Sequence, residues 1–197
     1  MNNAGEHCVH VLMSGGVDST ACVAFYLAAG REVEGVFVDY GQAASMAESD
    51  AAQRVADYYG VPLRRLMLGG SREMSAGLIT GRNGFLTFAA LLDIGKSDGT
   101  ISIGVHAGTT YHDCSSAFIE SMQPVIKACS EGRVSLEAPF VDWFKFQIYD
   151  YAHLHGLPLH LTYSCEAGTS PPCGSCLSCN DVKIDRLVRE RRQKLTK

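Results

Sequence analysis

The chain has 197 residues, 46% of them apolar and 19% charged, and a formal net charge of −4. Such values fit one buried core with a small appendage. They exclude a disordered chain and give no whole-protein attraction to nucleic acid. The longest unbroken apolar run, residues 21–29, is too short for a membrane span, and the N-terminal stretch has neither the basic start nor the apolar run of an export signal.

Short β-rich runs alternate with helical ones. Residues 9–13 read as a strand and 18–29 as a helix stopped by Gly30. Residues 33–38 form a second strand, and 43–59 a helix closed by Gly60. Residues 63–68 read as a third strand, interrupted by Arg64 and Arg65, and 84–94 as a buried helix. A fourth strand at 101–105 precedes a helix at 115–130. A short fifth strand spans 135–138, and a helix capped by Asp142 runs to His155 before Gly156. This alternation predicts an α/β fold: an open, mainly parallel five-stranded sheet with helices on both faces. After Leu161 the composition turns to Cys, Gly, Ser and Pro, and a basic helix is expected over 181–197. The expected organisation is an α/β unit over 1–161, with a cysteine segment and helix over 162–197 packed on it. That last helix carries a local charge of +4, suited to a solvated face, a dimer contact or an acceptor surface.

Eight cysteines without an export signal point to metal or catalytic chemistry in a reducing cytoplasm. Cys8, Cys22, Cys114 and Cys129 are scattered. Cys165, Cys173, Cys176 and Cys179 follow Cys-x7-Cys-x2-Cys-x2-Cys, a spacing that suits a tetrahedral Zn²⁺ with no open position, and hence a structural metal. Disulfides and an iron–sulfur cluster are the alternatives. His106, His112, His153, His155 and His160 show no metal-ligand spacing.

The first strand runs directly into Ser14-Gly15-Gly16-Val17-Asp18-Ser19-Thr20 and then a helix. Two glycines permit a tight turn, and unpaired N–H groups at a helix start can hold an anion. Ser14, Ser19 and Thr20 add hydroxyls. Asp18 beside a phosphate calls for a bridging Mg²⁺. Neither the Walker lysine nor the dinucleotide glycine pattern is present. A plain turn with Asp18 or Ser19 as helix cap is the bland alternative. Ser-Gly-Gly-x-Asp-Ser in this setting resembles the signature of the PP-loop ATP pyrophosphatases, which implies a Rossmann-like fold and cleavage of ATP between its α and β phosphates.

Ligands of a parallel sheet bind beyond the carboxyl ends of its strands. Asp39-Tyr40-Gly41-Gln42, Gly81-Arg82-Asn83 and the stretch 104–114 all fall there. Arg82 is a candidate phosphate clamp or a surface arginine. Lys145, expected in a first helical turn, is a candidate for the triphosphate or a solvated lysine. Asp113 beside Tyr111 could meet a purine-like ring or cap the next helix.

Ser14 to Thr20, Asp39 to Gln42, Gly81 to Asn83, Tyr111 with Asp113-Cys114, Pro139 to Lys145 and the four cysteines together resemble the QueC family of 7-cyano-7-deazaguanine synthases over nearly the whole length. The resemblance implies an AMP- and pyrophosphate-forming ligase, zinc-containing and dimeric. Such an enzyme activates 7-carboxy-7-deazaguanine with ATP and Mg²⁺ and uses ammonia to form the amide and then the nitrile. By position, Ser14, Gly15, Gly16, Asp18, Ser19 and Thr20 would bind ATP, with Arg82 and Lys145 on its phosphates. Asp18, Arg82 and Lys145 would be catalytic. Asp39, Tyr40, Gln42, Tyr111 and Asp113 would face the deazaguanine, and the four cysteines zinc. The chain departs from the family at Ala43-Ala44 in place of Arg-His, at Thr80 in place of Pro, at Ser115 in place of Arg, in a short 69–79 segment and in a short loop after the fourth strand. All of these lie on the substrate side. They leave open a paralogue, as in a defence operon, that conjugates the activated carboxylate to an amine of a protein or nucleic acid. A non-catalytic nucleotide-binding zinc module and an RNA-thiolating PP-loop enzyme are further readings.

Overall fold

The structure, a computed structural model, describes residues 7–69, 74 and 77–195; the rest of the short 69–79 segment lies outside them. Five strands, β1 (Val9–Leu12), β2 (Val33–Asp39), β3 (Leu63–Met67), β4 (Gly99–Ser102) and β5 (Val134–Glu137), pair in the order β3-β2-β1-β4-β5. Every pairing is parallel. The helices are α1 (Val17–Ala28), α2 (Ser45–Tyr59), α3 (Arg82–Ile94), α4 (Ser116–Cys129), α5 (Lys145–Leu154) and α6 (Leu177–Leu195). No helix among the described residues is long and apolar enough to cross a membrane.

Strand alternation sorts the core into two layers. Val9, Val11, Val33 and Phe37 face α1, α2 and α5, where Ala21, Val23, Ala52, Val55 and Ile148 are fully buried. Leu12, Val36, Val38 and Ile101 face α3 and α4 through Ala90, Ile94 and Ile126. The strand order reverses between β1 and β4, so the crevice at their carboxyl ends is the topological switch point.

Several expected boundaries move. β4 starts at Gly99, two residues before the sequence reading, because its ladder is set by distant partners, Val9 with Thr100 and Gly99 with Val134. Asp142 does not cap α5. Phe144 holds that position, its N–H donating to Gln147 Oε1 at 2.8 Å, while Asp142 accepts from Ser116 Oγ at 2.7 Å. Helix α6 begins at Leu177 rather than 181, with Cys179 buried in its first turn.

Candidate functional site

The turn after β1 is fixed by glycines. Gly15 sits at φ 74°, and a Cβ there would overlap the backbone of Ala51 and Ala52 in α2. Gly16 is the cap of α1, and no side chain bonds to the helix start, so neither Asp18 nor Ser19 is the cap. Instead Ser19 Oγ and Thr20 Oγ1 both donate to Gly16 O, at 3.1 and 2.8 Å. Thr20 is fully buried. Its hydroxyl proton is thus used in bracing the turn that was expected to meet ATP. Ser14 is exposed at the mouth.

Asp18 lies on the first turn of α1 and Lys145 opens α5. Lys145 Nζ donates to both Asp18 oxygens, at 2.8 and 2.7 Å. The cation that opposes the α5 dipole is thus balanced by a carboxylate from α1. Beneath them lies the Tyr149 ring, 5.8 Å from the ammonium. The Tyr149 hydroxyl is buried without a hydrogen-bond partner. Burial, reinforced by Asp18, Asp181 and Asp185, raises its pKa. The β4 loop closes over this pair: a Cβ on Gly104 would sit 3.0 Å from the Asp18 carbonyl carbon and the Ser19 nitrogen. Only a glycine strand end can approach so closely.

A second group gathers beyond β2 and at the start of α3. Asp39 Oδ1 accepts from Gly41 N at 3.0 Å. Gln42 is turned inward: its Oε1 accepts from Tyr40 N, and its Nε2 donates to Val38 O and to Glu48 Oε2, at 2.9, 3.2 and 3.0 Å. That occupancy makes Gln42 the brace of its own loop. Tyr40 is largely buried, edge-on to Phe85, with the Arg82 guanidinium beside its hydroxyl. Glu48, absent from the sequence reading, is a second carboxylate of this group beside Asp39. Burial raises its pKa, against the pull of the Gln42 amide and Arg82 and with the help of Asp39. Its one advance sign is an acid in the first turn of α2.

Asp113 does not cap α4; Ser115 does, accepting from Phe118 N at 3.2 Å. Asp113 reaches across to α3, where its Oδ2 accepts from Asn83 N at 3.3 Å and its carbonyl accepts from Asn83 Nδ2 at 2.9 Å. Arg82 is thereby anchored through its neighbour. Tyr111 packs partly buried against the α3/α4 core. Ser14, Asp18 and Lys145 thus share one side of the crevice, while Asp39, Arg82 and Asp113 surround the other.

The four cysteine sulfurs lie within 4.8 Å of one another, Cys173 Sγ and Cys179 Sγ at 3.9 Å. No pair of them is bonded as a disulfide here. Four thiolates on tetrahedral bonds of about 2.3 Å stand about 3.8 Å apart, so the set fits one ion. Peptide N–H groups hold the sulfurs: Cys173 N donates to Cys165 Sγ at 3.3 Å, and Cys179 N to Cys176 Sγ at 3.4 Å. Those from Ser175 and Cys176 pull the Cys173 thiol below its ordinary range. The segment is stitched to the β1–α1 turn, since Tyr163 N donates to Gly15 O at 3.0 Å. Gly168, at φ 68°, presses onto the Ala43 carbonyl after β2.

A parallel 3-2-1-4-5 sheet, a serine–diglycine turn into α1 and a four-cysteine segment joined to that turn define a PP-loop α/β protein with a tail able to hold a metal ion. The fold is shared with the U34-tRNA thiolase NcsA of Methanococcus maripaludis, solved with its [4Fe-4S] cluster, at TM-score 0.56 and 13% identity over 96% of this chain and 68% of that one. A predicted tRNA methyltransferase subunit of Methanocaldococcus jannaschii superposes at TM-score 0.50 and 16% identity, over 76% and 74% of the two chains. The profile of queuosine biosynthesis protein QueC matches residues 8–80 and 64–183, and the chain belongs to that family. It is 30% identical to the 7-cyano-7-deazaguanine synthase of Prochlorococcus marinus (strain NATL2A), over 94% of this chain and 96% of the relative. It is 32% identical to 7-cyano-7-deazaguanine synthase 2 of Desulfitobacterium hafniense (strain Y51), over 86% and 84%.

Proposed function

We propose that the chain is an ATP-dependent ligase that adenylates a 7-carboxy-7-deazaguanine-type carboxylate and passes the acyl group to ammonia, forming the amide and then 7-cyano-7-deazaguanine. The observation that carries this reading is the Asp18–Lys145 pair beside the open Ser14–Gly16 turn at the switch point, in a chain of the QueC family.

ATP would lie with its polyphosphate along the turn, where Ser14 Oγ and the free amides at the start of α1 donate to phosphate oxygens. Asp18 has the hard oxygen donors that suit a Mg²⁺ ion, and both now accept from Lys145. Bound with the nucleotide, the ion would supply charge neutralisation. Lys145, released from Asp18, would then reach a phosphate oxygen. Arg82, held by Asn83 and Asp113, would neutralise the opposite side. A substrate carboxylate oxygen attacks the α-phosphorus and pyrophosphate departs. Ammonia then attacks the acyl carbon and AMP leaves; the amide needs a second activation to lose its oxygen as the nitrile. Catalysis rests on positioning and charge neutralisation, with no covalent enzyme nucleophile. Asp39, Tyr111 and Asp113 line the side left for the deazaguanine ring.

Zinc is the metal proposed for the cysteines. The 4.8 Å span supports one ion, since thiolates around an iron–sulfur cluster are held further apart by the irons and sulfides between them. A second copy of the chain is proposed as partner: Ile184, Leu187 and Val188 expose apolar surface on α6.

The test is incubation with ATP, Mg²⁺, the deazaguanine carboxylate and ammonium, followed by mass spectrometry. The nitrile with AMP is expected. AMP without nitrile would move the acceptor to another amine, on a protein or nucleic acid. No AMP at all would overturn the ligase reading.

A further inference from the structure

The described residues contain a second convergence of metal-binding donors, at the opposite end of β1 from the nucleotide turn. The thiol of Cys8, a ring nitrogen of His10 and a carboxylate oxygen of Glu34 lie within 4.8 Å of one another. The backbone dictates the meeting. Cys8 and His10 are two residues apart and so share a face, and His10 is directly opposite Glu34 in the β1–β2 register.

His10 is 8% exposed, and its Nδ1 stands 3.2 Å from Glu34 Oε2, an ion-pair contact off the line of a good hydrogen bond. Two lone-pair-bearing atoms aimed at one another in a buried setting make a poor pair unless the imidazole is protonated, and a cation between them would satisfy both. The ring is held in this orientation by a missing side chain. A Cβ on Gly99 of β4 would come within 3.0 Å of His10 Cδ2 and 3.1 Å of Nε2. The nearby guanidinium does not fill the role. Arg64 lies 3.9 Å from the other oxygen, Glu34 Oε1, and gives its short contact, 2.5 Å, to Asp93.

We propose that Cys8, His10 and Glu34 form a second metal site, for one Zn²⁺ ion bound through sulfur, nitrogen and oxygen with solvent in the fourth position. Mixed soft and borderline donors select zinc over Mg²⁺ or Ca²⁺. Bonds of about 2.0–2.3 Å place tetrahedral ligand atoms about 3.2–3.8 Å apart, a spacing the His10–Glu34 pair already has. The ion would clip the start of β1 to β2, independently of the nucleotide and of the four-cysteine site.

Zn²⁺ alone is the probe. The full chain is loaded with excess Zn²⁺, gel-filtered and its metal counted by mass spectrometry, and a parallel sample is loaded with ¹¹³Cd²⁺ for NMR. Two ions per chain are expected, with one cadmium resonance in the four-thiolate region and a second, well upfield, from mixed donors. His10→Gln and Glu34→Gln should each lose the second ion and its resonance while keeping the four-thiolate signal, which also shows that the variant is folded. One ion per chain in the wild type, with only the four-thiolate resonance, would overturn the site. Retention of the second ion by both variants would do the same.

Discussion

Lys145 Nζ grips both oxygens of Asp18, joining the first turns of two helices 127 residues apart in sequence. Both side chains are about a fifth exposed, so this is neither a loose surface pair nor a sealed one. In the proposed cycle it is a latch, and the arriving nucleotide separates its halves. Asp18→Asn should lower AMP formation at least ~100-fold while melting close to wild type, and Ser14→Ala should act in the same direction. Lys145→Ala should raise the KM for ATP and lower the rate as well. Pyrophosphate release and a thermal melt measure both effects. Unchanged turnover in Asp18→Asn and Ser14→Ala together would remove the site from the β1 turn.

Gly15 is constrained twice, by its positive φ and by the α2 backbone against its α-carbon. Gly15→Ala should therefore cost about 2–4 kcal/mol in urea unfolding. Gly30, also at positive φ but with open space around it, should cost less on the same change. Equal losses at the two positions would mean that the α2 contact contributes nothing.

Cys176→Ser should abolish metal binding at the four-cysteine site. The metal is expected to contribute roughly 10 kcal/mol to ordering its segment. Hydrogen exchange should then rise through residues 163–179 and also at the β1 turn, because Tyr163 N is bonded to Gly15 O. ATP affinity should drop with it. A metal-free variant that binds ATP normally would uncouple the two.

Glu48 gives a pH prediction. Its pKa is raised in the folded chain, chiefly by burial. The folded state therefore holds this proton to higher pH than the unfolded state does. Stability from this group is present below the ordinary carboxylate pKa and is lost as pH rises through the elevated one. Glu48→Gln, which still accepts from Gln42, should flatten that decline. Urea melts across the acid range compare the slopes, and identical slopes would show that Glu48 titrates normally.

What could be read from the sequence was local in cause. Two glycines between a strand and a helix give the β1 turn its shape, and Cys-x2-Cys spacings bring their own sulfurs together. The α/β alternation carried the sheet in the same way. Contacts across the sheet were not legible. Nothing near Asp113 indicates that it holds Asn83 on another helix, or that Asp142 serves Ser116 rather than α5. Glu48 looked like an ordinary helical acid until α3 placed Arg82 beside it. Gln42 and Thr20 are polar residues at a crevice, yet their hydrogen bonds are used to build it.

The bond from Tyr163 N to Gly15 O also has a bearing on biosynthesis. The ribosome makes the glycine bend early, but its last stitch waits for a segment emerging some 150 residues later. A nascent chain, or one deprived of the zinc proposed for its cysteines, would carry the complete signature and still lack a finished cradle. If the cysteines hold the proposed zinc and the turn the proposed nucleotide, a cell short of zinc would show the loss first as nucleotide left unbound, before any bulk unfolding.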